Sequence, residues 1–186
     1  YVVEKDKSLA TELERQYFNK INVINKDILK ITNEFYSGKK FLILGNLPFN
    51  ISTKILSNWC LNNKLNVSKM ILMFQKEVAE RILANVNSKE YSRITILSKW
   101  KFDIRKITDV KPNSFFPKPK INSSILEFIP KTKIHKIKNP KNLEKITKVF
   151  FSQRRKMIKK PINILFKNLK FDYKKFNINP SDRPQN

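Results

Sequence analysis

Short apolar runs alternate with amphipathic stretches along residues 1–130. Apolar runs bounded by turn residues predict strands, at residues 1–4, 22–25, 41–44, 69–74, 102–110 and 123–128. Apolar residues at helical spacing predict helices, at residues 8–18, 28–35, 52–62, 78–84 and 91–100. This alternation indicates right-handed crossover units, and therefore an α/β fold with a doubly wound, Rossmann-like sheet.

The third predicted strand and the helix after it carry the clearest packing signals. Phe41–Leu44 is an uninterrupted apolar run, which predicts burial on both faces of a parallel sheet. Ser52 is predicted as the N-cap of the following helix. Three apolar side chains of that helix are expected to face the core: Ile55, Leu56 and Trp59. Cys60 lies beside them, and we interpret it as a small core residue rather than a nucleophile.

The pattern changes toward the carboxyl end of the chain. Pro112–Pro119 contains too much proline to form a strand or a helix. Residues 131–140 form a basic segment without a strong period, and helical spacing returns from Lys141. We therefore expect an α/β domain over residues 1–130 and a small, basic α-helical domain over residues 131–186.

The net charge is strongly positive, because 39 Lys and Arg stand against 15 Asp and Glu and give +24. The charge is most concentrated in residues 131–186, where 17 Lys and Arg stand against 3 Asp and Glu. A surface this basic attracts polyanions, of which nucleic acid is the commonest. A protein from a lysine-rich proteome, or one that binds an anionic membrane surface, would have the same composition. Charge alone therefore leaves these alternatives open.

Features that the sequence lacks restrict the class of protein to which the chain can belong. A single cysteine excludes an internal disulfide and is typical of a reducing compartment, so we expect a cytoplasmic protein. No apolar run approaches the roughly 18–20 residues that span a bilayer, so we expect no membrane partner. His135 has no cysteine or carboxylate cluster beside it, which predicts a surface residue and no metal site. The chain opens on an apolar run without an initiator Met, which predicts a fragment that begins within a strand.

Three polar residues directly follow predicted strands: Glu4, Asp27 and Asn46. In doubly wound sheets, ligands bind at the carboxyl ends of the strands. We therefore expect these three side chains to lie at one rim and to form a binding site.

Asn46-Leu47-Pro48-Phe49 joins a predicted strand to a predicted helix, and its residue types suit chemistry on an adenine amine. Such an amine is a poor nucleophile, because its lone pair is delocalised into the ring. The Asn46 side-chain oxygen and the Leu47 carbonyl can accept from its N–H groups, which favours a pyramidal nitrogen. Pro48 fixes the turn without adding an N–H, and Phe49 offers a ring on which an extruded base can stack. An ordinary β-to-α turn would also use Asn and Pro, for conformational reasons.

Residues 46–53 resemble the signature of the ribosomal RNA adenine dimethylase family, Asn-Leu-Pro-Tyr-Asn-Ile-Ser-Thr, with Phe49 in place of the tyrosine. Further segments resemble the family in the same order, at residues 74–81, 91–93, 115–123 and 151–156. The likeness is greatest to the bacterial small-subunit members.

The resemblance implies S-adenosylmethionine as the methyl donor and assigns residues to its site. Glu4 would bond the ribose hydroxyls of the methyl donor, Asp27 would lie beside its adenine, and Asn46 would also contact it. Phe49 would stack on the target adenine. Phe116 would be a second aromatic flanking that base, a role for which Phe115 competes.

The glycine-rich loop that binds the methyl donor in this family has no counterpart in the sequence. Gly38 and Gly45 are the only glycines, and neither lies in such a loop. We therefore expect the first strand, its loop and the next helix to precede Tyr1. This expectation favours a truncated portion of an enzyme over a natural remnant, and predicts that the chain alone is inactive and binds the methyl donor weakly or not at all.

Six basic residues crowd one segment near the carboxyl end: Lys148, Arg154, Arg155, Lys156, Lys159 and Lys160. Part of this segment resembles the family's Ser-Gln-Arg-Arg-Lys stretch, which implies contact with RNA phosphates. A solvated helical face would carry the same charges. Three further lysines could extend the track: Lys111, Lys118 and Lys120.

Taken as a whole, the resemblance implies a monomeric enzyme that dimethylates N6 of two adjacent adenines near the 3′ end of small-subunit rRNA, a step of ribosome biogenesis. Its partner would be that rRNA or the small ribosomal subunit. Two other functions stay open. One is the related large-subunit rRNA dimethylase, which usually has Ile where this chain has Leu47. The other is a noncatalytic RNA-binding or ribosome-assembly factor.

Overall fold

The computed structural model describes residues 1–167 and 169–186. The described residues form six strands: β1 (Val2–Glu4), β2 (Val23–Asn25), β3 (Lys40–Asn46), β4 (Asn66–Gln75), β5 (Phe102–Val110) and β6 (Ser123–Pro130). They form seven α-helices: α1 (Lys7–Gln16), α2 (Asn33–Tyr36), α3 (Ser52–Leu61), α4 (Lys76–Leu83), α5 (Arg93–Lys101), α6 (Pro140–Ser152) and α7 (Lys159–Leu165). Two 3₁₀ turns lie at Ile28–Lys30 and Pro112–Ser114. The predicted strands and helices are therefore confirmed, except that the helical stretch predicted over residues 28–35 is divided into the 3₁₀ turn Ile28–Lys30 and the short helix α2.

Side-chain caps fix where two of the helices begin. At the start of α1, Asp6 Oδ1 accepts from the Leu9 backbone N–H (3.0 Å). At the start of α6, Asn139 Oδ1 accepts from the Lys141 N–H (3.0 Å). Pro140 occupies the first turn of α6, where the N–H that proline lacks would have no partner inside the helix.

The chain divides into two compact units. Unit 1 contains Tyr1–Phe41 and Asn62–Asn66, and unit 2 contains Leu42–Leu61 and Val67–Asn186. The domain boundary expected between residues 130 and 131 stays a prediction.

In unit 1, β1 and β2 pair in parallel, so that Glu4 lies opposite Asn25. Helix α1 packs against both strands. Four aromatic rings of the same unit form a cluster: Tyr1, Phe35, Tyr36 and Phe41. The Lys39 ammonium lies 4.9 Å from the Tyr1 ring centroid and 5.0 Å from that of Phe35, close enough for cation–π attraction.

The second sheet has the strand order β3-β4-β6-β5. Strand β6 is antiparallel to both β4 and β5. Phe128 of β6 lies at the centre of the core, with its ring centroid 6.1 Å from that of Phe74 and 6.0 Å from that of Phe102. The crossover pattern did not predict the antiparallel pairs. The β5–β6 pair is antiparallel because the connection between these strands contains only a 3₁₀ turn, whereas parallel neighbours usually need a crossover helix.

Strand β3 alternates in exposure along its length. Leu42 and Leu44 are 60% and 68% exposed, whereas Phe41 and Ile43 are half-buried. Successive residues of a strand point to opposite faces of the sheet. The prediction that Phe41–Leu44 is buried on both faces was therefore wrong, because no described element covers the face that carries Leu42 and Leu44.

The basic carboxyl-terminal segment folds onto the rest of unit 2. Helix α6 packs against α5 and α3, and α7 packs against α6. The last residues then return to the start of α7, where Ile158 N donates to the Asp182 carbonyl (2.8 Å) and Lys159 N to the Pro180 carbonyl (3.2 Å). These bonds engage backbone N–H groups that the start of a helix leaves without a partner.

The structure confirms the predicted burial of Cys60 and the predicted exposure of His135. Cys60 is fully buried within α3, and this burial raises the pKa of its thiol to about 12, so the reactive thiolate does not form. His135 is exposed, and its carbonyl accepts from Trp100 Nε1 (2.9 Å). Within residues 1–167 and 169–186, no group of three or more His, Cys, Asp or Glu side chains is placed to hold a metal ion. None of the described helices combines the length and the apolar character needed to cross a membrane.

Candidate functional site

The turn that follows β3 is held by hydrogen bonds from its own residues. Ile51 N donates to the Pro48 carbonyl (3.1 Å), and the Ser52 hydroxyl donates to the Phe49 carbonyl (3.1 Å). Helix α3 then begins, with Ile55 N donating to the Ile51 carbonyl (2.9 Å). The prediction that Ser52 is the N-cap was wrong, because Ser52 is the first helical residue and the turn engages its hydroxyl.

Leu47 anchors this turn in the core. Its side chain is 7% exposed, whereas Asn46 and Pro48 on either side are exposed. The packing around it depends on Gly45, because a Cβ there would lie 3.0 Å from Leu47 Cδ2 and 3.2 Å from Leu72 Cδ2. Ordinary carbon contacts are about 3.5–4.0 Å. Close packing of the Leu47 and Leu72 side chains against Gly45 therefore holds the backbone of Asn46 and Leu47 in place.

The Asn46 side chain and part of the Phe49 ring are available to a ligand. Asn46 is exposed, and its side chain makes no hydrogen bond to any residue that the structure describes. Phe49 is half-buried, so part of its ring is accessible. An amide oxygen beside a main-chain carbonyl can accept both N–H groups of an amine, and the ring can hold a planar base. The geometry is compatible with the roles assigned to these residues from the sequence, which stay predictions.

Glu4 and Asp27 lie at the carboxyl ends of two adjacent parallel strands in unit 1. Glu4 ends β1, and Asp27 follows the end of β2. The Asn25 side chain ties these ends together, because its Nδ2 donates to the carbonyls of Glu4 (3.0 Å) and Lys5 (3.2 Å). The structure thus brings together two of the three predicted rim residues, while Asn46 belongs to unit 2.

Both carboxylates already hold local partners. Glu4 Oε1 accepts from the Asp6 N–H (2.7 Å). Asp27 Oδ1 accepts from the Leu29 N–H (2.9 Å), and its Oδ2 lies 3.5 Å from Lys5 Nζ. The Leu29 hydrogen bond and the Lys5 charge lower the pKa of Asp27 and keep it ionised. A carboxylate has about four acceptor positions, so each can still accept from the hydroxyl or amine of a ligand.

The two candidate aromatic residues of the proline-rich segment differ in exposure. Phe116 is fully exposed, whereas Phe115 is half-buried and its N–H donates to the Pro112 carbonyl (3.2 Å). This difference favours Phe116 as the ring that a base could reach. Its stacking role stays a prediction.

The six predicted RNA-binding residues separate into different parts of the surface. One group lines an open depression of about 420 Å³: Lys156, Lys159 and Lys160. A second group lines a cleft of about 390 Å³: Lys148 and Arg154. Arg155 is exposed and lines neither of the two. The six residues are therefore not gathered at a single depression.

The cleft contains two cations that were not singled out from the sequence. Arg81 from α4 and Arg93 from α5 join Lys148 and Arg154 there. Both arginines belong to segments that resemble the family, and this resemblance was the sequence signal that could have identified them. No local pattern relates α4 and α5 to α6, because the three helices are separated along the chain.

Comparison with known proteins places this fold and its segments in one family. A family model described as ribosomal RNA adenine dimethylase matches residues 1–185. The chain is 53% identical to the ribosomal RNA small subunit methyltransferase A of Pelagibacter ubique (strain HTCC1062), over 100% of this chain and 72% of that protein. It is 37% identical to the protein of the same name from Malacoplasma penetrans (strain HF-2), over 100% of this chain and 68% of that protein.

Two solved structures share the fold. A dimethyladenosine transferase from Plasmodium falciparum is 23% identical, with a TM-score of 0.71, over 97% of this chain and 74% of that chain. The 23S rRNA methyltransferase ErmE is 19% identical, with a TM-score of 0.62, over 97% of this chain and 73% of that chain. These likenesses confirm the predicted Rossmann-like methyltransferase fold. With the family model matched from end to end and a relative 53% identical, the chain belongs to the ribosomal RNA adenine dimethylase family.

Proposed function

We propose that the protein dimethylates N6 of two adjacent adenines near the 3′ end of small-subunit rRNA, as a step of ribosome biogenesis. The observation that carries this proposal is the turn after β3, where the unpartnered Asn46 amide stands beside the buried anchor Leu47. The names of the similar proteins from Pelagibacter and Malacoplasma support the small subunit as the substrate. The large-subunit alternative is supported by a likeness of fold to ErmE.

The turn would activate the amine through two acceptors. The Asn46 side-chain oxygen and the Leu47 carbonyl accept from the two N–H groups of N6, which draws the nitrogen out of conjugation and exposes its lone pair. Phe49 stacks on the adenine once the base has been extruded from its strand. The methylated nitrogen is cationic and therefore acidic, so water can accept the proton without a general base.

We infer that the methyl donor is S-adenosylmethionine, which supplies an electrophilic methyl group when bound. Glu4 and Asp27 fit this ligand, because each presents carboxylate oxygens at the carboxyl edge of the β1–β2 sheet. Neither glycine lies in a loop that directly follows a strand, since Gly38 precedes β3 and Gly45 lies within it. The weak binding expected of this chain alone therefore stays a prediction.

The proposal includes a partner and a location. We propose a monomer that works in the cytoplasm and contacts the phosphates of small-subunit rRNA through its basic surface. The two basic depressions support this contact, because both collect cations from the segment that resembles the family's Ser-Gln-Arg-Arg-Lys stretch.

The test is a methyl-transfer assay on small ribosomal subunits that lack adenine dimethylation, with the full-length protein. Asn46→Ala removes one of the two acceptors and should lower the rate by about 10²–10³-fold, the usual effect of removing one preorganised polar contact to a transition state. Asn50→Ala is the matched control, because Asn50 is also an exposed asparagine of this turn but is not one of the acceptors. It should leave the rate unchanged.

Three results would contradict the proposal. Equal methyl-transfer rates for Asn46→Ala and wild type would show that the turn has a structural role only. RNA binding by the wild type without any methylation would favour a noncatalytic ribosome-assembly factor. Methylation of large subunits in preference to small subunits would move the substrate to the other branch of the family.

A further inference from the structure

The Asn25 side chain joins the two strand ends that carry Glu4 and Asp27. Glu4 and Asn25 form the last residue pair of the parallel β1–β2 ladder. Beyond this pair each chain enters a different element, because Asp6 caps α1 and Asp27 caps the 3₁₀ turn Ile28–Lys30. Main-chain pairing between the strands therefore ends where the two carboxylates of the proposed donor site lie.

Asn25 extends the connection between the strands beyond the ladder. Its Nδ2 donates to the Glu4 carbonyl (3.0 Å) and to the Lys5 carbonyl (3.2 Å). An amide NH₂ group has two hydrogens, so one asparagine can donate to both carbonyls. Two successive carbonyls at the end of β1 are thus held from β2, which fixes the path of the main chain as it leaves β1.

These two hydrogen bonds matter because the β1–β2 sheet is small. Each strand has three residues, and three residue pairs join the strands. Within residues 1–167 and 169–186, neither strand pairs with a third. A two-stranded sheet is marginally stable by itself. The side-chain bonds of Asn25 therefore contribute a substantial part of what aligns the two strand ends.

The aligned main chain sets the position of both carboxylates. Glu4 Oε1 accepts from the Asp6 N–H (2.7 Å), so the Glu4 side chain is oriented by the main chain just beyond Lys5. Lys5 Nζ lies 3.5 Å from Asp27 Oδ2, but the Lys5 side chain is 78% exposed and such pairs are weak. Asn25 therefore acts mainly on Glu4, and only weakly on Asp27 through Lys5.

We propose that Asn25 is a positioning residue for the methyl donor, because its two hydrogen bonds hold Glu4 where the carboxylate can accept from the ribose hydroxyls. The inference rests on the proposed function, since it takes the ligand to be S-adenosylmethionine. Asn25 does not need to touch the donor. It restricts Glu4 before binding, which lowers the entropy that binding costs. The sequence did not indicate this role, because the contact joins residues 21 positions apart.

The test is calorimetric titration of the full-length protein with S-adenosylmethionine. Asn25→Ala removes both hydrogen bonds and should weaken binding by about 10-fold, the usual order for the loss of one or two hydrogen bonds. Asn22→Ala is the matched control at the other end of β2. Asn22 is also an exposed asparagine, but its side chain makes no hydrogen bond to any residue that the structure describes. Its variant should keep the wild-type affinity.

A double-mutant cycle distinguishes positioning from a general loss of structure. If Asn25 acts through Glu4, Asn25→Ala should have almost no further effect on affinity in a Glu4→Ala background. Asn25→Thr is a second variant, because threonine favours strands and its hydroxyl has one hydrogen, so it can donate to only one of the two carbonyls. Its affinity should lie between those of Asn25→Ala and the wild type.

Equal affinities of Asn25→Ala and the wild type would overturn the proposal, and so would additive effects in the cycle. If Asn25→Ala does not fold, wild-type affinity of Asn25→Thr would overturn it instead. Binding by the wild type separates the two failures. If the wild type binds S-adenosylmethionine and the Asn25 variants bind it equally well, only the positioning role fails. If the wild type does not bind it, the proposed function fails with its methyl donor.

Discussion

Gly45→Ala tests whether core packing beneath the turn after β3 controls methyl transfer. The new methyl group would lie 3.0 Å from Leu47 Cδ2 and 3.2 Å from Leu72 Cδ2. Since carbon atoms normally approach to about 3.5–4.0 Å, these side chains must move by about 0.3–1 Å. Overpacking of this kind costs about 1–3 kcal/mol.

The first assay is urea unfolding of the full-length protein. A loss of about 2 kcal/mol, with a denaturant dependence of about 2 kcal/mol per molar, lowers the midpoint by about 1 M. The second assay is methyl transfer to small subunits. Because Leu47 carries one of the proposed acceptors on its backbone, a shift approaching 1 Å should lower the rate by up to about 10²-fold.

A second substitution identifies the cause. Leu72→Val removes one of the two close contacts, so Gly45→Ala should cost less in that background, with a coupling energy of at least about 0.5 kcal/mol. Gly38→Ala is the matched control, because nothing lies within 4 Å of a Cβ there but its φ is +71°. It should lower stability by about 1–2 kcal/mol through backbone strain, with no rescue by Leu72→Val and no effect on methyl transfer. An unchanged midpoint and rate for Gly45→Ala would refute the reasoning.

Two further predictions concern buried polar groups. Thr95→Val leaves the Arg81 carbonyl and the Ser92 N–H without a partner and should lower the free energy of unfolding by about 1–3 kcal/mol, measured by urea unfolding, whereas Thr95→Ser should retain most of the stability. Hydrogen bonds from Arg105 and Lys69 lower the pKa of Glu127 from 4.5 to about 2. The ionised Glu127 carboxylate therefore contributes its full stabilisation above pH 4.5, and this contribution is lost as the pH falls toward 2. Glu127→Gln should reduce the loss of unfolding free energy at acid pH, so that a plot of stability against pH becomes flatter there. An equally steep acid limb in that variant would remove Glu127 as the cause.

The local features of this protein are properties of short segments, and they could be predicted from the sequence. Apolar periodicity located the strands and helices, because side-chain direction repeats within each element. The residue types of Asn46-Leu47-Pro48-Phe49 pointed to acceptors beside a stacking ring, and the ordered segments identified the family. The small size and apolar neighbours of Cys60 predicted its burial.

The tertiary structure decided which surfaces are covered and which distant residues meet. The apolar character of Phe41–Leu44 did not reveal that Leu42 and Leu44 are exposed, because burial depends on whether another element packs on that face. The basic segment near the carboxyl end reads as one track in the sequence, but its residues line two different depressions. Arg81 and Arg93 reach Lys148 only because α4, α5 and α6 pack together, and contacts between elements far apart along the chain leave no trace in a local pattern.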